Sequence, residues 1–192
     1  MRTDPRRSGS GKTGRCLARG TERLAEAGKR GSGLPVTTLI TQSLLVALSE
    51  EAEHSPRRRK NRNFHPRDDY PGHRLLNAIE PDSYVMPHRH LDPNKDETIV
   101  CLRGRLGVVL FSPENRVDRS IVLTPAGEVC GIDIPHGVYH SVLALESGTV
   151  FFEAKAGPYV PLAEDEKAPW APAEGSPAVT AYLASLAGLF AR

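Results

Sequence analysis

The sequence predicts an all-β domain, a sandwich or closed barrel, with one helix before it and one after. Three observations carry that expectation. Between His73 and Lys155 the chain consists of short runs rich in Val, Ile, Leu and Phe, residues that suit a pleated, half-buried surface. Turn residues separate the runs: Glu80-Pro81-Asp82, Asp92-Pro93-Asn94, Gly104, Pro113-Glu114-Asn115, Pro125-Ala126-Gly127, Pro135-His136-Gly137 and Ser147-Gly148. No helix-period segment intervenes, which argues against a parallel α/β sheet. Eight strands are expected, near 74–79, 83–90, 97–103, 105–111, 117–123, 129–134, 139–145 and 149–155.

The flanks have other textures. Residues 38–54 place Leu39, Ile40, Leu44, Leu45 and Leu48 near a 3.6-residue period, with Glu50, Glu51 and Glu53 on the polar side. That pattern is an amphipathic helix, with Thr41 or Thr38 as its cap and Pro56 as its stop. Residues 57–65 are a cationic run with Asn61, Asn63 and Phe64 interleaved. Two readings stand side by side, a solvated linker or an anion-binding arm folded against the barrel. Residues 156–177 are Pro-rich and carry Trp170, an irregular strap over the barrel. A last helix over 178–190 is expected from the stripe Val179, Tyr182, Leu183, Leu186, Leu189 and Phe190. The expected organisation is therefore a basic extension over 1–35, helix and arm over 36–72, barrel over 73–157, and strap and helix over 158–192.

Composition narrows the function. Residues 1–35 hold nine Lys/Arg against three Asp/Glu, while the rest holds sixteen against twenty, so the net charge of +2 belongs to the tail. That tail has too few large apolar side chains to order itself, and a basic tail on an acidic domain is no case for nucleic-acid binding. The run Ser8 to Thr13 lacks a phosphate loop's first glycine, because Arg6 stands there. Three cysteines at unpaired spacings, Cys16, Cys101 and Cys130, argue for a reducing compartment. No apolar run is long enough to span a membrane, and no apolar segment follows the basic start as in a secretory signal. A cytoplasmic protein is expected.

The chemistry concentrates in Met86-Pro87-His88-Arg89-His90 and in Glu97 beyond the next turn. Residues two apart on a strand face the same way, so His88 and His90 are expected to project together, beside Glu97 on the neighbouring strand. His140, after the turn Pro135-His136-Gly137, supplies a fourth donor. Imidazoles and one carboxylate suit a single divalent transition metal: Fe, Mn, Ni, Co or Zn. Open coordination positions would serve catalysis. His136 is expected to face outward, and Cys101 to be a buried thiol. Tyr84 and Met86 are expected to line the cavity, Tyr84 as a proton donor. Lys95 is the second catalytic candidate, and Arg62, Asn63 and Asn77 are candidates for substrate binding.

Residues 82–104, with the His-x-His pair, the Glu and Gly104, resemble the first motif of the cupin superfamily, and 135–140 resembles the second. Two departures stand out. The gap between His90 and Glu97 is longer than usual by two or three residues, and Ala144 stands where an Asn is usual. The runs Ser55 to His65, His73 to Ala78, Lys95 to Thr98, Gly157-Pro158-Tyr159 and Ala168 to Pro172 look like the WbuC-type cupin-fold metalloproteins, over about 37–185. That resemblance implies a double-stranded β-helix (jelly-roll) barrel holding one metal in a bacterial homodimer, with a link to polysaccharide biosynthesis. Two classes of function follow. One is a metal-dependent enzyme, of isomerase/epimerase or dioxygenase type, on a small polar metabolite such as a sugar. The other is a metal-dependent binding or structural module without turnover. The fold cannot choose between them.

Overall fold

In the computed structural model, which describes residues 37–191, eight antiparallel strands form two facing sheets with a helix at each end. All elements lie in the unit Ile40–Arg192. The expected basic extension, its phosphate-loop-like run included, lies outside the described residues. Helix α1 is Gln42–Glu53, and the strands are β1 (Arg59–Asn63), β2 (Gly72–Ile79), β3 (Glu97–Arg103), β4 (Leu106–Phe111), β5 (Val117–Leu123), β6 (Gly131–Ile134), β7 (Tyr139–Ala144) and β8 (Thr149–Ala156). Helix α2 is Val179–Gly188. One sheet has the order β1-β2-β8-β3-β6 and the other β5-β4-β7. No helix among the described residues is long and apolar enough to cross a membrane.

Alternation along the strands builds the layers. Ile99 and Cys101 of β3, Leu106 and Val108 of β4, Val142 of β7 and Phe151 of β8 meet between the sheets. On the outside of the larger sheet, Leu45, Leu48 and Ala52 of α1 pack on Leu76, Ala78 and Val150. Burying a Leu fully stabilises by about 1.5–3 kcal/mol, so these contacts, rather than helix propensity, hold α1 in place. Thr41 caps it by accepting from the Leu44 amide at 3.2 Å. On the outside of the smaller sheet, Leu186 of α2 and Ala168 of the strap cover Val109, Phe111 and Leu143. Strands β4 and β7 are thus covered on both faces, which explains why Leu106 to Phe111 is almost unbroken apolar sequence. Gly104, at φ +74, joins β3 to β4 where a Cβ would lie 2.5 Å from Thr149 Oγ1, so the turn needs glycine.

Two expectations about strands are corrected. The segment 83–90 is extended but is not a strand; it makes isolated bridges from His88 to His140 and to Lys167. Pro87 has no N–H to continue a ladder, and neighbouring backbone groups are served by side chains and strap instead: Val85 O accepts from Ser141 Oγ, Pro87 O from Ala168 N, and Arg89 N donates to Glu166 O. Conversely, the cationic run is a strand. β1 pairs with β2 from Arg59↔Ile79 to Asn63↔Leu75. Charged side chains suit an outermost strand, whose free edge faces water.

Candidate metal centre

Three donors converge between the sheets. His88 on the extended segment, Glu97 at the start of β3 and His140 on β7 each offer one ligand atom, all within 4.8 Å of one another. The local sequence sets each in place. His88 and His140 exchange backbone hydrogen bonds, His88 N to His140 O at 3.0 Å and His140 N to His88 O at 2.8 Å. Their rings lie 4.6 Å apart between centroids. Gly137, at φ +80, lets the preceding turn close, its N–H donating to His90 O at 2.7 Å.

Hydrogen bonds fix which nitrogen faces inward. His88 Nδ1 lies 2.9 Å from Met86 O, and His140 Nδ1 lies 3.0 Å from Val138 O. A carbonyl only accepts, so each Nδ1 carries the proton and donates. Nε2 of each ring is left to face the cluster, the arrangement that orients ligating imidazoles. Glu97, 3% exposed, has Oε2 at 3.0 Å from His140 Nε2 and Oε1 at 2.9 Å from His90 Nε2 and 2.5 Å from Lys155 Nζ. Lys155 also lies 2.7 Å from Glu153 Oε1, and Asn77 Nδ2 donates to Glu153 Oε2 at 2.8 Å.

The electrostatics follow. Burial alone would raise the Glu97 carboxyl, but the hydrogen bonds from His140 and His90 and the charge of Lys155 hold it well below the usual range. Burial, helped by the neighbouring His140, pushes His88 down to about 3. Burial also opposes charge on His140, but its bond to Glu97 outweighs that and raises it. The two imidazoles diverge because His140 bonds the carboxylate and His88 bonds only a carbonyl. Burial disfavours charge on Lys155 too, yet Glu153 and Glu97 raise it above its ordinary value. The donors fit a divalent transition ion: two pre-oriented neutral-capable imidazoles and an ionised carboxylate, with proton release on binding.

The donors face a cavity of about 260 Å³ floored by Ile79, Ile99, Val142 and Phe151. Asn77, Glu153 and Lys155 supply polar wall, and Arg57, Arg59, Lys60 and Asn61 stand among its lining residues. A neighbouring space of about 450 Å³ shares Arg59, Asn61, Asn77, Glu153 and Lys155 and adds Asn63 and the stacked pair His65 and His73.

The expected site residues therefore divide. His88, Glu97 and His140 come together. His90 stands beside them, bonded to Glu97 rather than within the trio. Asn77 and Asn63 reach cavity walls. Lys95 lines a third space, with His88, His90 and Lys155. Tyr84 does not line the metal cavity: its hydroxyl donates to Pro172 O at 2.9 Å and its ring meets Tyr182 edge-on. Without a regular strand over 83–90 the two-residue alternation breaks, and Val85 takes the cavity position. Arg62 is corrected likewise. Arg62 lines none of the three spaces around the trio, whereas Arg59, Asn61 and Asn63, at alternate positions of β1, do. The arm's cations are met by the protein's own carboxylates: Arg57 and Arg59 by Glu174, Arg58 by Asp82 and Lys60 by Glu51. His136 is exposed but not idle, since its N–H and Nδ1 both reach Asp96 Oδ1, tying the turn before His140 to the residue before Glu97.

Sequence reasoning missed Lys155 and Glu153. The signal was present: Phe151, Glu153 and Lys155 share strand parity, so an inward apolar residue is followed by two inward charges.

The model of a domain of unknown function, DUF6016, matches residues 40–123. A comparison with curated proteins gives no match. Similar solved structures include KdgF from a Halomonas species, at 17% identity and TM-score 0.43, covering 56% of this chain and 85% of that one. A conserved protein of unknown function from Streptococcus pyogenes aligns at 13% identity and TM-score 0.45, over 70% of this chain and 99% of that one. A cupin-2 domain protein from Shewanella frigidimarina aligns at 26% identity and TM-score 0.38, over 51% and 80%.

Proposed function

We propose that this chain is a cupin-type metalloenzyme that uses one divalent transition metal to act on a small polar metabolite. The observation that carries the reading is the trio His88, Glu97 and His140, with donor atoms within 4.8 Å of one another at the wall of a 260 Å³ cavity. A purely structural site is closed by its ligands, whereas a catalytic one keeps a face toward a pocket. The metal, held by the trio, would supply Lewis acidity or a seat for dioxygen, so isomerase/epimerase and dioxygenase chemistry both suit the site. His90 holds the Glu97 carboxylate in place from 2.9 Å, and joins the ligand set if it turns inward.

The chain's own residues supply the rest. The apolar floor excludes water from one side of the cavity, and Asn77, Glu153 and Lys155 form a hydrogen-bonded row along the other. The resemblance to WbuC-type proteins supports a bacterial setting, a homodimer and a link to polysaccharide precursors, and all three remain part of this proposal. Elemental analysis of protein purified without a metal-affinity tag tests it, with His88→Ala as control. Near-stoichiometric Fe, Mn, Ni, Co or Zn in the parent, lost in the variant, is expected. Oxygen uptake and sugar-isomerisation assays on the loaded protein then separate the two chemistries. Equal metal content in both proteins would overturn the ligand assignment.

A further inference from the structure

Beside the metal trio lies a third space, of about 180 Å³, walled by His73, His88, His90, Lys95, Lys155 and the strap around Tyr159. Three features set it apart. Its lining contains two lysines and no Asp or Glu. Lys95 has no ion-pair partner among the described residues, unlike Lys60, Lys155 and Lys167. Lys155 is common to this space and to both cavities described above, so its ammonium stands at their junction. An ammonium has three N–H donors, and Glu97 and Glu153 take two of them.

With a divalent ion on the trio, the ion, Lys95 and Lys155 together carry more positive charge than Glu97 and Glu153 cancel. The rest of the wall is carbon: Ala156, Pro158, Val160 and Leu162. Cationic donors on one side and apolar surface on the other suit an anion that carries a short carbon skeleton. The rim arginines are weaker candidates, because Glu174 already occupies Arg57 and Arg59.

We propose that this chamber holds the carboxylate of a small organic acid, with Lys95 as its free cationic partner, and so places an anionic substrate against the His88 face of the metal. The inference rests on the metal-dependent reading above and deepens it by assigning the substrate's charge.

The test uses the full chain loaded with Co(II), whose visible absorption reports on ligands near the metal. Propionate and succinate, inorganic phosphate, and glycerol as a neutral control are titrated in turn. A saturable change with a carboxylate is expected, at least tenfold tighter than with phosphate or glycerol. Lys95→Met should weaken that binding at least tenfold while Co(II) affinity stays within about twofold, and Lys95→Arg should recover part of it. Carboxylate binding equal in the parent and Lys95→Met would overturn the proposal, as would preference for glycerol or phosphate. Absence of a Co(II) band in the parent before any anion is added would sink the metal reading itself, and this inference with it. His88→Ala, which should lack the band, identifies that outcome.

Discussion

Replacing Glu97 by Gln in the metal-free protein isolates the charge that holds the centre together. The amide matches the carboxylate in shape but carries no charge. In the native chain the carboxylate meets His90 Nε2 at 2.9 Å, His140 Nε2 at 3.0 Å and Lys155 Nζ at 2.5 Å. A hydrogen bond to a charged group contributes about 1.5–3 kcal/mol and a neutral one about 0.5–1.5. Three such bonds losing their charge assistance cost about 3 kcal/mol. Breaking a buried ion pair outright costs about 3–5 kcal/mol, and the low end applies because Lys155 keeps Glu153 at 2.7 Å. At roughly 2–4 °C per kcal/mol for a chain of this size, the midpoint should fall by about 6–12 °C. Circular-dichroism melts at pH 7.5 with EDTA read it out. Lys155→Met and the double variant complete a cycle, and the double should be less destabilised than the sum by about 1 kcal/mol or more. A Glu97→Gln midpoint within about 2 °C of the parent, or strict additivity, would refute the reasoning.

Three further outcomes are expected. His88→Ala and His140→Ala should abolish metal occupancy, while His90→Ala, which removes an orienting bond to Glu97, should weaken affinity about 10–100-fold; equal loss in all three by isothermal titration would place His90 among the ligands. In the metal-free protein His88 titrates at about 3 when folded and near 6.5 when unfolded. The unfolded chain therefore binds the extra proton between those values, and stability should fall as pH drops below about 6.5, by up to about 1.4 kcal/mol per unit. Urea titrations at pH 7, 6 and 5 should show that loss, and His88→Gln should flatten it. Leu48→Ala, on the outer face of the larger sheet, should cost about 2–5 kcal/mol in urea midpoints and leave metal content unchanged.

The fold was legible where a single periodicity governs a segment. Strand β3 carries its buried residues at alternate positions, β4 and β7 read as short apolar runs because both faces are covered, and turn chemistry marks the strand ends. The helix at Gln42 was legible because a cap precedes its apolar stripe. The misreadings came where backbone pairing depends on a distant partner. Nothing local to Arg59-Lys60-Asn61-Arg62-Asn63 announces a strand, since its pairing with Leu75 to Ile79 is a tertiary fact. Nothing local to 83–90 denies one except Pro87, whose missing N–H ends the ladder beside β7 after one bridge.

The site shows the same division more sharply. A His-x-His pair, a following Glu and a turn that ends in His form a donor pattern visible in spacing alone, so His88, Glu97 and His140 stood out. Lysine is commonplace on surfaces, and Lys95, two residues before Glu97 in sequence, drew attention that Lys155 did not. Yet β3 and β8 are antiparallel neighbours with Glu97 opposite Lys155 in register. The cross-strand partner of a buried carboxylate is the position where a compensating charge does most. A lysine two residues after an inward glutamate, at the mouth end of a strand whose other inward residues are apolar, should therefore be matched against carboxylates of the neighbouring strands before it is assigned to solvent. Here that match places Lys155 against both the carboxylate of the centre and the Glu153–Asn77 row, on the wall of the chamber that Lys95 lines.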